Sequence, residues 1–171
     1  MAILDILTAP NPHLHRKARP VEKVDTGTQK LMDDLLETLY AHGAIGLASV
    51  QVGMLQRVIV IDLGERHTCS IKPLFMANPE ITYASQALQM TTEACLSVPN
   101  FTGNITRPLE VQVSYLDENN VQKTLTAEGL LADCIQHEID HLNGVLYIQH
   151  LSSLRRNLIL SKLTKTKRNR R

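Results

Sequence analysis

The chain has 171 residues, 43% apolar and 20% charged, with a net charge of +1. That size and balance suit one globular domain over 1–171 whose core needs no disulfide staples. The totals argue against a disulfide-built secreted scaffold, because Cys69, Cys95 and Cys134 are odd in number and widely spaced, which fits a reducing compartment.

The start, Met1-Ala2-Ile3-Leu4-Asp5, lacks the basic and apolar regions of a signal peptide. No stretch reaches the roughly 18 apolar residues of a membrane span. A cytoplasmic location is expected, in a bacterium or a bacterium-derived compartment. Asn11 to Val24 carries Pro12 and Pro20 and reads as an extended arm. Thr26 and Gln29 suggest a capping box for an amphipathic helix over 26–42. Leu31, Met32, Leu35, Leu36 and Leu39 recur there at helical spacing, and Gly43 suits its end.

The middle reads as β. Val58-Ile59-Val60-Ile61 is a β-branched apolar run, and Leu74 to Ala77 is a second candidate strand, ended by Asn78-Pro79. Leu109, Val111, Val113 and Tyr115 alternate with polar residues. Asp117 to Asn120 supplies a turn, and Val121 to Leu125 returns antiparallel. The period then changes: Leu130, Leu131, Cys134, Ile135, Ile139 and Leu142 fit a helix over 128–142, capped by Thr126 and ended by Asn143-Gly144. Leu151 to Leu163 reads as a last helix. It leads into a tail, 162–171, where Lys162, Lys165, Lys167, Arg168, Arg170 and Arg171 have no acid among them. Such a tail is either a solvated, frayed end or a contact to RNA phosphates or an acidic partner; no sequence-specific nucleic-acid contact is expected. The expected class is α+β: short, mostly antiparallel strands around a central helix, with an N-terminal amphipathic helix and a C-terminal helix.

The central helix carries His137-Glu138-Ile139-Asp140-His141. Histidines four apart share one face, with Cβ atoms about 5–6 Å apart, so both rings reach one ion. Glu138 lies beside that face and can move protons without being a ligand. The plainer reading is two surface histidines beside acids, but the helix has a strong apolar face that half-buries them. A catalytic site needs a third ligand and an open position. Cys134 is excluded: it lies two turns, about 10.5 Å, from His141. Cys95, in the acid-flanked and aperiodic segment Glu93-Ala94-Cys95-Leu96-Ser97-Val98-Pro99, is the better candidate. A thiolate suits iron or zinc better than magnesium. By itself, a lone cysteine is more often an inert buried thiol.

Three ordered segments resemble the peptide deformylases. They are Ile45-Gly46-Leu47-Ala48-Ser49-Val50-Gln51, Glu93-Ala94-Cys95-Leu96-Ser97 and His137-Glu138-Ile139-Asp140-His141, with Gln136 before and Asn143-Gly144 after the last. The resemblance covers nearly the whole chain. It implies removal of the formyl group from the N-terminal formyl-methionine of new polypeptides, with release of formate. It implies one divalent ion held by Cys95, His137 and His141. That ion is Fe(II) natively, with nickel, cobalt or zinc able to replace it. Glu138 becomes general base and then general acid, and the Gln51 side chain with the Leu96 N–H receives the oxyanion. Ile45, Gly46 and Glu93 become substrate contacts, the first two by strand-like pairing with the peptide. Asp140 becomes a ligand-orienting group, and the C-terminal helix a contact to the ribosome.

The chain departs from the family pattern at five positions. Ala44 and Ala94 stand where glycine is usual, Ser49 where alanine is usual, and Thr102 where many members carry a substrate-binding arginine. Asp133 occupies a region that in relatives is apolar and lines the methionine pocket; a buried unpaired carboxylate there is costly. These positions leave metal and proton transfer untouched but open an alternative, the same chemistry on a different N-acyl peptide or first residue; the basic tail opens another, a weakly active ribosome-associated relative.

Overall fold

The structure, a computed structural model, describes residues 2–64 and 72–169, with side chains through residue 166. Cys69, Arg170 and Arg171 lie outside the described residues. Helix α1 (Thr26–Ala41) buries Leu31, Met32, Leu35 and Leu39 on one stripe. Its cap is Asp25, not the expected Thr26–Gln29 box. The Asp25 carboxylate accepts from both the Thr28 N–H (2.9 Å) and the Thr28 hydroxyl (3.0 Å), while the Gln29 side chain donates to the Glu118 carbonyl. A charged oxygen serving two donors is the stronger cap.

Among the described residues seven strands follow: β1 (Gly46–Ala48), β2 (Val58–Ile61), β3 (Leu74–Ala84), β4 (Leu88–Cys95), β5 (Val98–Pro108), β6 (Glu110–Leu116) and β7 (Gln122–Glu128). An antiparallel sheet runs β1-β2-β3-β6-β7, and β4-β5 form a separate hairpin. Helix α2 (Gly129–Leu142) packs Ile135, Ile139 and Leu142 against Ile59, Ile61, Met76, Val111 and Val113. Val58 and Val60 belong instead to the cluster with Leu31, Leu35 and Leu39 of α1. Both faces of β2 are therefore covered, which is why its sequence is continuously apolar, whereas β6 alternates.

Three expectations are corrected here. β3 does not end at Asn78-Pro79 but runs on to Ala84. Its register with β6 shifts between Ala77 and Glu80, where Asn78 has φ 51°, so Pro79 falls in an irregularity that needs no ladder N–H. Thr126 does not cap α2; it lies in β7 opposite Gln112, and Glu128 precedes the helix with no side-chain cap. The segment leading to Cys95 is not aperiodic but is strand β4. Its apolar residues Leu88 and Met90 face outward, 63% and 71% exposed, so the polar residues form its inward row and the usual alternation is inverted.

The N-terminal arm contains one helical turn, Pro12–His15, before it extends. It seats on the end of α2, where the Ala18 N–H donates to the Leu142 carbonyl at 2.8 Å. Gly144, at φ +77°, lies so close that a Cβ would meet the His15 carbonyl oxygen at 2.5 Å, so only glycine fits. Helix α3 (Ser153–Asn169) extends past the expected Leu163 and buries Ile159 and Leu163 beside Leu14, Val98, Ile105 and Tyr147. No described helix is long and apolar enough to cross a membrane.

Candidate metal centre

Strand β4 lies along helix α2, and their facing side chains meet in steps. Gln89 Nε2 donates to the Gly129 carbonyl (3.1 Å), the Thr91 hydroxyl donates to Asp133 Oδ2 (2.6 Å), Glu93 Oε2 bonds His137 Nδ1 (2.7 Å), and Cys95 Sγ lies 3.2 Å from His141 Nε2. Two strand residues advance about 6.6 Å and four helix residues about 6.0 Å. The two repeats match closely enough to stay in register over four rungs, and the last two rungs bring Cys95 to the histidine pair.

The sulfur and the two imidazoles offer ligand atoms within 4.8 Å of one another. Tetrahedral coordination with ordinary Zn–S and Zn–N lengths puts ligand atoms about 3.5 Å apart, so the 3.2 Å sulfur–nitrogen separation fits one cation. The ring centroids of His137 and His141 are 5.0 Å apart. Burial pushes the His141 imidazole well below its ordinary pKa, which keeps it a neutral donor. Burial also opposes charge on His137, but bonds to Cys95 and Glu93 outweigh it and push that ring up.

Glu93, expected at the substrate, borders the cavity but has both oxygens engaged. Oε1 accepts from Arg107 Nε at 2.5 Å, and Oε2 accepts from Arg107 Nη2 at 3.1 Å and lies 2.7 Å from His137 Nδ1. Burial would raise this carboxyl, yet the bonds from His137 and Arg107 hold it down at about 2. It is a fixed anion behind a candidate ligand, and it leaves the opposite ring nitrogen for a cation. Asp140 stands one step further back, accepting from Arg107 Nη1 (2.9 Å) and lying 2.8 Å from His150 Nε2. Arg107 is thus a buried strut and does not replace the cation missing at Thr102. Sequence reading assigned ligand support to Asp140 alone. The signal for Glu93 was its place two residues before Cys95, on the same strand face. Glu93→Gln should weaken metal affinity by about 10–100-fold, measured by chelator competition, with the fold retained.

Glu138 is 4% exposed, and its Oε2 has no partner among the described residues. Burial pushes its carboxyl up to about 7, against the pull of His137. Gly46 on β1 approaches it closely: a Cβ there would lie 2.5 Å from Glu138 Oε1 and 2.7 Å from Cys134 Sγ. Gly46→Ala should therefore displace Glu138 or the strand, lowering thermal stability by about 1–3 kcal/mol and turnover with it; melting and rate measurements check both. Cys134 is a buried thiol pushed up by desolvation, near the Ile45 carbonyl, and is not grouped with the ligands.

Gln51 Oε1 accepts from the Ala48 N–H (2.9 Å), which turns its Nε2 toward Ser97 Oγ (3.2 Å) and Cys95 Sγ (3.5 Å). Leu96 opens the turn after β4 and lines the same cavity of about 600 Å³ as Gln51, Ile45, Gly46, Cys95, His137 and Glu138. The Ile45 carbonyl is already taken by the Asp62 N–H at 2.9 Å. By antiparallel alternation, Gly46 then turns its N–H and C=O away from β2, toward the open edge.

The departures have distinct surroundings. The Ser49 hydroxyl is buried and satisfied by the Gln56 carbonyl. Ala44, Ala94 and Thr102 line the cavity. Asp133 also lines it and is 4% exposed; Oδ2 is held by Thr91, while Oδ1 has no partner among the described residues.

Comparison with known proteins agrees with this geometry. The family model described as Polypeptide deformylase matches residues 3–157. The chain is 47% identical over 167 residues to a peptide deformylase of Methylocella silvestris, covering 96% of this chain and 85% of that protein. It is 45% identical over 170 residues to one of Pelagibacter ubique, covering 99% and 98%. A crystal structure of peptide deformylase from Ehrlichia chaffeensis in complex with actinonin superposes with a TM-score of 0.93 at 40% identity, covering 98% of this chain and 99% of that one.

Proposed function

We propose the chemistry of this site from one premise: the chain belongs to the peptide deformylase family of hydrolases. It removes the formyl group from the N-terminal formyl-methionine of newly made polypeptides and releases formate. Cys95, His137 and His141 hold one divalent ion, Fe(II) natively, with nickel, cobalt or zinc able to replace it. When bound, the ion supplies Lewis acidity that activates water and polarises the formyl carbonyl.

The chain's own groups do the rest. The peptide lies along the open edge at Ile45 and Gly46, where Gly46 offers the backbone pairing of an added strand. Glu138 takes the proton of the attacking water and returns it to the leaving amine, a task suited to a carboxyl near 7. The Gln51 amide and the Leu96 N–H donate to the oxygen that gains charge. Glu93, clamped by Arg107, holds His137 in one orientation. The observation carrying this reading is the 3.2 Å approach of Cys95 Sγ to His141 Nε2, made by residues far apart in the chain. With Fe(II) under anaerobic conditions, the purified protein should release formate from formyl-Met-Ala-Ser. No release with iron, nickel or cobalt would overturn the reading.

A second reading concerns the first residue. Asp133 is buried and its Oδ1 has no partner among the described residues, which favours altered side-chain preference, and undiminished preference for formyl-Met across a peptide panel would exclude it. The protein acts in the cytoplasm of a bacterium or a bacterium-derived compartment, where its thiol ligand stays reduced. The acid-free helix α3 supports docking to ribosomal phosphates, seen as salt-sensitive cosedimentation.

A further inference from the structure

A second cavity of about 600 Å³ lies between α3, the chain at Thr8 and Ala9, and β5. Its lining includes Pro99, Asn100 and Phe101 of β5 and Lys162 and Lys165 of α3. Among the described residues no acid lines it, and α3 contributes no acid of its own. Lys162 Nζ lies 6.0 Å from the Phe101 ring centroid, so its charge sits over the shared wall.

Pro99, Asn100 and Phe101 line this cavity and the catalytic one alike. That wall is tied to the metal centre: the Tyr147 hydroxyl donates to the Phe101 carbonyl at 2.9 Å, and the Tyr147 ring stacks on His137 at 6.3 Å between centroids and 23° between planes. A peptide held at Gly46 with its formyl group at the metal must send its remaining residues out of the first cavity. Extended chain advances about 3.3 Å per residue, so a few residues suffice to cross a three-residue wall.

Resting on the deformylase reading, we infer that the downstream residues of the formylated peptide cross the Pro99–Phe101 wall into this cationic cleft, which favours carboxylate side chains there. Exposed lysine–carboxylate contacts are individually weak and screened by salt, so the effect is a modest, salt-sensitive preference. The cleft touches no reacting atom, so the preference falls on KM and leaves kcat unchanged.

The test compares formyl-Met-Ala-Ser with the same tripeptide extended by four Glu, four Gln or four Lys. Wild type and the double variant Lys162→Glu/Lys165→Glu are assayed at about 50 mM and about 500 mM salt. The Glu peptide should exceed the Gln peptide by about 3–10-fold in kcat/KM at low salt, through KM, and the Lys peptide should fall below both. High salt should flatten the series, and the double variant should reverse it while cleaving the unextended tripeptide at the wild-type rate. Equal rates for the three extensions in wild type would overturn the inference, as would a Glu preference that survives in the double variant. Salt-sensitive binding of an RNA oligonucleotide, lost in the double variant with no peptide preference, would also overturn it and assign the lysines to phosphate. No formate from any peptide would remove the deformylase reading and this inference with it.

Discussion

Cys95→Ala is expected to abolish stoichiometric metal binding and formate release together. The thiolate is the one soft, charged donor of the set, and without it two imidazoles on a single helix face remain. Two neutral ligands do not hold a divalent ion against solvent when a catalytic site ordinarily uses three. Lewis acidity contributes several kcal/mol to such a reaction, so kcat/KM should fall by at least about 10³-fold. Metal analysis of the purified variant beside a formate assay checks both halves. Cys134→Ala is the control, because its sulfur lies outside the ligand group: that variant should retain the ion. A Cys95→Ala protein with one ion per chain would refute the ligand assignment.

Glu138→Gln should show the opposite pattern, keeping the ion and losing about 10²–10⁴-fold in kcat. Glutamine preserves the volume of this buried side chain but has no carboxylate to take a proton. Full metal content with wild-type turnover would remove Glu138 from the reaction.

The same variant has a readout independent of turnover. In the ion-free protein, burial raises the Glu138 carboxyl to about 7 from an ordinary 4.5. The folded state therefore binds more protons than the unfolded state between those values, and stability falls as pH rises through that window. Ion-free Glu138→Gln lacks this loss, so above pH 7 it should melt higher than ion-free wild type, with the gap closing below about pH 4.5.

Much of the architecture was legible because local pattern and tertiary environment agreed. Helix α1, strand β2 and helix α2 each fill a core layer, so their apolar periods carry straight through from sequence to structure. The misreadings fall where local pattern and tertiary environment part. In β4 the inward row is Gln89, Thr91, Glu93 and Cys95, selected for reach toward α2 rather than for apolar burial, so hydrophobic alternation misses the strand. In β3 the Asn78-Pro79 pair reads as a stop, but pairing with β6 resumes beyond the irregularity.

By itself the sequence determined that one helix presents His137 and His141 on a common face with Glu138 beside it, since spacing along a helix is a local property. It also nominated Cys95, by eliminating Cys134 and by resemblance. Only the tertiary structure decided that the sulfur arrives at the imidazoles, that Glu93 and Arg107 stand behind His137, and that Asp133 is buried with one oxygen unpartnered among the described residues. Those facts depend on the register between a strand and a helix about forty residues apart, set by the near match of two backbone repeats across a packed interface. No local pattern encodes that register.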